Sequence, residues 1–179
     1  MPLISVESLS PSVTELRLSV GRGNPLTPDA LKELEHAIHS LRDSPPRALV
    51  ISSSDPNIFS GGFALPIIAH WDREALSGFF ASFLRSIQML LRFPAPTVCA
   101  VSGHAIAGGF ILSLATDLRV VASGPLKLGL SETRLGVAVP AGTLELLAAR
   151  TSPQTALRLG LQAQLIGPDE ALRLGYADE

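Results

Sequence analysis

The chain has 179 residues, 46% of them hydrophobic and 17% charged, with a net charge of -2; that length holds one domain, residues 1–179, and falls short of two ordinary ones. A pI near 6.1 leaves no basic field for nucleic acid or an anionic membrane surface, and the single Cys99 rules out a disulfide framework. No apolar run reaches a membrane span and no signal pattern follows Met1, so the expectation is a soluble, intracellular protein with no membrane partner.

Ile4 to Glu7 and Val13 to Val20 read as a β-hairpin joined through Ser8 to Ser12. After the loop Gly21 to Leu26, Thr27-Pro28 supplies an N-cap and a first-turn proline. A helix over about Asp29 to Arg42 follows, with Leu31, Leu34, Ile38 and Leu41 on one face. Ala48 to Ser52 is a buried strand, and Ile58-Phe59-Ser60 runs into a glycine-rich bend at Gly61-Gly62. A long helix spans about Arg73 to Arg92 and stops before Pro94 and Pro96. Strands are expected at Pro96 to Val101, Leu118 to Ala122 and Leu126 to Leu130. Helices are expected at Ala141 to Arg150, Pro153 to Leu161 and Asp169 to Leu174. Strands alternating with helices give an α/β fold.

The informative stretch is Ala100 to Gly136. A strand ends at Ser102-Gly103, and the small-residue turn Ala107-Gly108-Gly109 opens an apolar helix. A helix start leaves backbone N–H groups unpaired, and adjacent glycines let a ligand atom approach them. Ile111 lies one turn beyond Gly108 on the same side. Further on, Glu132 is a lone acid in an apolar neighbourhood, within Gly129-Leu130-Ser131-Glu132-Thr133-Arg134-Leu135-Gly136. Together these suggest an oxyanion site with one proton-carrying carboxylate.

Plainer roles fit the same residues. Glu132 beside Ser131 also suits a capping-turn acid, and Gly108-Gly109 also suits close helix packing. The Phe63 ring reads as core, Asp117 as a hydrogen-bonding residue at a helix end, and His104 as structural or pocket-lining. No cluster has metal-ligand spacing. A Ser60, His104, Asp117 triad lacks the G-x-S-x-G elbow, and Gly21-x-Gly23 lacks the rest of a dinucleotide fingerprint.

The patterns NIFSGGFAL, AVSGHAIAGGFILSLATDLRV and LGLSETRLG resemble the crotonase (enoyl-CoA hydratase/isomerase) superfamily across Leu16 to Gly175. Through AGG, GLSETRLG and LRLGLQAQLIGPDEALRLGYAD the chain is most similar to the Δ3,Δ2-enoyl-CoA isomerases. The resemblance implies a crotonase-like ββα spiral. It also implies an acyl-CoA thioester substrate, whose CoA is the only cofactor-like group, and an enolate held by the N–H groups of Phe63 and Gly108. Gly62, Ala64, Leu65, Gly109 and Ile111 would be substrate-binding, and Glu132 catalytic. Hydratases of the superfamily carry a glutamate where this chain has Ile111, and the isomerases keep only the acid matching Glu132; an isomerase of 3-enoyl-CoA is therefore expected.

Two departures stand out. Ala64 replaces an aspartate common among relatives, and the resemblance stops at Tyr176-Ala177-Asp178-Glu179, where relatives continue into C-terminal helices that help build trimers. The expectation is thus a core without that helical trimerisation region, with apolar surface near Leu159 to Leu174 exposed or meeting another subunit. A homo-oligomer, trimer or hexamer, in a bacterial cytoplasm or a mitochondrial matrix, completes the expectation. The rival functions are other enolate chemistry (thioester hydrolysis, decarboxylation or hydration) and a silent acyl-CoA-binding or assembly subunit.

Overall fold

The computed structural model describes residues 2–140 and 142–179. Strands β1 (Ile4–Ser10) and β2 (Val13–Leu18) form the hairpin. β1 outlasts its expected end at Glu7 because Ser8 pairs with Thr14 and, past a bulge, Ser10 pairs with Val13. The turn shrinks accordingly to Pro11-Ser12.

Helix α1 (Pro28–Arg42) starts where Thr27-Pro28 predicts, with Thr27 Oγ1 accepting from the Ala30 N–H at 3.2 Å. It buries Leu31, Leu34 and Ile38, together with Ala30 and Ala37, while Leu41 is half-buried. Strand β3 (Ala48–Ser53) leads directly into β4 (Ile58–Ser60). A short α2 (Leu65–Ile68), not expected from the sequence, precedes α3 (Arg73–Leu91), where Asp72 caps the Ala75 N–H at 2.8 Å.

The second half repeats the pattern with β5 (Thr97–Val101), β6 (His104–Ile106), α4 (Gly108–Leu114), β7 (Leu118–Val121) and β8 (Leu128–Gly129). A 3-10 turn over Glu132–Leu135 follows, then α5 (Thr143–Arg150), α6 (Pro153–Leu161) and α7 (Pro168–Arg173). Ala141, the expected first residue of α5, lies outside the described residues. Among the described residues no helix is long and apolar enough to cross a membrane.

Two sheets result. One has the order β1-β2-β3-β5-β7, parallel from β2 onward; the other is β4-β6-β8, all parallel. The first turn of chain, β1-β2-α1, gives both strands to the first sheet; from β3 onward each turn gives one strand to the first sheet, one to the second, and then a helix, the expected ββα spiral. His104 to Ile106, to which the sequence assigned no element, is a strand because β4 and β8 flank it with partners. β8 is shorter than the expected Leu126 to Leu130, its pairing confined to Leu128 and Gly129.

Register aligns Leu16, Ile51, Cys99 and Arg119 in one row across β2, β3, β5 and β7. All four face the interior and are buried. Burial pushes the Cys99 thiol above its usual pKa.

Candidate active site

The second sheet delivers two glycine bends to one place. The first follows β4. There the Gly61 N–H donates to Gly23 O at 2.9 Å, the Gly62 N–H to Ser60 Oγ at 3.2 Å, and the Ala64 N–H to Leu26 O at 3.3 Å. Of these consecutive amides only that of Phe63 has no acceptor among the described residues. Ser60, fully buried, does double duty: its hydroxyl accepts from Gly62 and donates to Asn24 O at 2.8 Å. The Phe63 ring anchors the bend in an edge-to-face aromatic cluster, 5.2 Å from Phe79, 5.3 Å from Phe80 and 4.8 Å from Phe83 on α3.

The second bend follows β6. Ala107 takes φ +50 and gives its N–H to Gly129 O at 2.9 Å, while its carbonyl starts α4 by accepting from Ile111. The Gly108 N–H, in the first turn, has no acceptor among the described residues. The bends touch: a Cβ on Gly62 would lie 3.0 Å from Gly108 N and 2.9 Å from Ile106 O, and Gly62 itself has φ +86. Only glycine meets both demands. Gly109 is packed as closely, because a Cβ there would overlap the Ser60 carbonyl.

Glu132 opens the 3-10 turn after β8, which the Ala107-to-Gly129 bond ties to the second bend. It is 5% exposed. Its Oε2 accepts from the Ser131 N–H at 2.7 Å, while Oε1 is buried with no partner among the described residues. Desolvation raises its pKa above the ordinary carboxylate value, with backbone hydrogen bonds from its own and the Ser131 N–H opposing.

A cavity of about 460 Å3 joins these parts. Phe63 and Glu132 are in its wall with Gly61, Ala107, Ser131, Leu65 and Ile68; Leu76 and Phe80 come from α3, and Leu135, Val137, Ala138 and Pro140 from the segment after Glu132. Of the residues singled out in the sequence, Phe63, Leu65 and Glu132 are wall residues. Gly62, Ala64, Gly108, Gly109 and Ile111 are buried and not in the wall, and Ile111 belongs to the apolar core. Not expected in the wall were Ala107, which the sequence placed only in the small-residue turn, Leu76 and Phe80, and also Leu135 and Val137, whose signal is an apolar side chain in an exposed turn.

The other polar candidates go elsewhere. Asp117 Oδ2 accepts from Thr97 N and Oγ1 at 2.8 and 2.9 Å, a helix-end role. His104 Nδ1 accepts from the Lys127 N–H at 2.8 Å. Ser60, His104 and Asp117 thus bond to three separate parts of the molecule. Among the described residues no three His, Cys, Asp or Glu side chains are grouped to hold a metal ion.

A profile of the enoyl-CoA hydratase/isomerase family matches residues 10–179. The chain is 32% identical over 153 residues to methylglutaconyl-CoA hydratase of Mus musculus, covering 85% of this chain and 48% of the relative. It is 30% identical over 161 residues to the mitochondrial enoyl-CoA delta isomerase 1 of Homo sapiens, covering 87% of this chain and 52% of the relative. The chain spans about half the length of these curated relatives. Its fold superimposes on an enoyl-CoA hydratase structure from Bacillus anthracis with a TM-score of 0.94 at 27% identity, covering 98% of this chain and 69% of the other.

Proposed function

The chain belongs to the enoyl-CoA hydratase/isomerase family, and from that premise we propose that it moves the double bond of a 3-enoyl-CoA into conjugation, forming the 2-enoyl-CoA, with Glu132 carrying the proton. The observation that carries the reading is the buried, unpartnered Oε1 of Glu132 in the wall of a cavity that also includes Phe63.

The thioester oxygen is received by the N–H groups of Phe63 and Gly108. Each such donor is worth about 3–4 kcal/mol once charge develops on that oxygen. Ionised Glu132 takes a proton from the α-carbon, and the C–H electron pair spreads through the double bond onto the oxygen as a dienolate. The acid so formed returns the proton to the γ-carbon, the double bond closes between the α- and β-carbons, and Glu132 is ionised again. One carboxylate serves as base and then acid, so no second titratable group is needed. A pKa raised by desolvation suits both steps. The cycle uses no group beyond the CoA of the thioester.

Hydration, the reaction named for some of the relatives, asks for a group to hold and deprotonate water while another handles carbon. Among the described residues Glu132 is the one ionisable side chain in the wall, and Ile111 is buried core; this favours isomerisation. The test incubates the protein and Glu132→Gln with 3-octenoyl-CoA and follows the conjugated product. Formation by the parent and loss in the variant is the expected result; equal rates remove Glu132 from the chemistry, and a 3-hydroxyacyl product in quantity replaces isomerisation with hydration.

A further inference from the structure

Every wall residue of the cavity other than Ser131 and Glu132 has an apolar side chain or none, and among the described residues the wall holds no Lys, Arg or His. We infer that the site selects acyl chains that are apolar to their far end and rejects those ending in a second carboxylate. The inference rests on the acyl-CoA reading above and adds the chemistry of the chain.

Leu65, Ile68, Leu76, Phe80, Leu135 and Val137 offer a methylene chain an apolar surface on several sides. Each methylene taken from water onto such a surface is worth up to about fourfold in affinity. A terminal carboxylate entering the same space loses its hydration and meets no cation. It also shares the cavity with Glu132, whose ionised form the chemistry requires; two carboxylates in one site disfavour each other's ionisation. The Ser131 N–H is already given to Glu132. Substrate charge is thus disfavoured by the absence of a cation among the described wall residues and by the presence of a like charge.

The test is calorimetric titration of the full chain with octanoyl-CoA and with 7-carboxyheptanoyl-CoA, saturated thioesters of the same length that bind without turning over. At pH 8 the carboxylated ligand is expected to bind about a hundredfold more weakly. Lowering the pH toward 5, where its free carboxyl takes up a proton, narrows the gap. Leu135→Lys places a cation at a wall position that is already 56% exposed, so folding is undisturbed. This variant should narrow the gap at pH 8 about tenfold.

Equal affinities in the parent, a gap that Leu135→Lys leaves unchanged, or failure of both ligands to bind would each overturn the inference. Turnover of 3-octenoyl-CoA separates it from the isomerase reading. A binding gap without turnover sinks the isomerase and leaves the selectivity, whereas turnover with equal affinities does the reverse.

Discussion

Two buried charged side chains, Arg119 and Glu132, have opposite fates. Arg119, 2% exposed at the inner face of β7, has a partner for each guanidinium nitrogen: Nε donates to Tyr176 O, Nη1 to Thr116 O at 2.8 Å and Nη2 to Asp178 Oδ2 at 2.8 Å. Tyr176 in turn stacks on Phe110 of α4, ring centroids 4.5 Å apart, and shares a hydrogen bond with Ser113. The tail continues the arrangement, with the Val121 N–H donating to Glu179 O at 2.8 Å and that of Asp178 to Arg119 O at 2.9 Å. Glu132, almost as buried, has one oxygen bonded and the other idle beside a cavity. A buried charge with every partner in place holds structure together, whereas one left short of a partner costs stability and is free for a ligand.

Four experiments can break or sharpen that contrast. The largest effect is expected from Glu132→Gln, which keeps shape but carries no proton between carbons. Its kcat should fall about a hundred- to ten-thousandfold in steady-state assays, with the fold intact by circular dichroism. Next comes Arg119→Met, which leaves the carbonyl of Tyr176 without its donor, while that of Thr116 keeps Arg150 Nη2 at 2.9 Å. Urea unfolding should show a loss of about 3 kcal/mol, kept to that range because Asp178 is 39% exposed, with kcat per folded molecule within about twofold. A tenfold loss of kcat there would show that the two regions are coupled through α4.

Ser60→Ala is smaller. It leaves the Gly62 N–H and Asn24 O without the hydroxyl that joins them and loosens the bend that aims the Phe63 N–H, so kcat should drop about tenfold with KM nearly unchanged and stability lower by about 1 kcal/mol. Ser60→Thr keeps the hydroxyl and should restore most of the rate. The smallest effect is a pH dependence. The folded-state pKa of Glu132 is raised by desolvation. Protonated Glu132 therefore favours the fold at low pH, and that advantage is lost as pH climbs from the ordinary carboxylate range through the raised value. The Tm of Glu132→Gln relative to the parent should rise across that window, where kcat/KM of the parent also rises as the base ionises. A Tm difference flat in pH would mean that Glu132 is not desolvated.

What the sequence by itself determined is what short-range physics dictates. Thr27-Pro28 starts α1, α6 begins at the expected Pro153, and the periodicity of α3 stops before Pro94, because caps and prolines act within a few residues. Gly62 and Gly108, and the isolation of Glu132 in GLSETRLG, were legible for the same reason. Only the tertiary structure decided which amides stay free. That inventory depends on Gly23, Asn24 and Leu26 reaching across to residues 60–64, and on Gly129 reaching back to Ala107. Tertiary structure likewise made a strand of His104–Ile106, buried Arg119 in a row with Leu16, Ile51 and Cys99, and drew the cavity wall from the β4–α2 segment, α3 and the turn after Glu132. A polar group's partner, unlike a helix cap, sits wherever the fold brings it, and no local pattern records that distance.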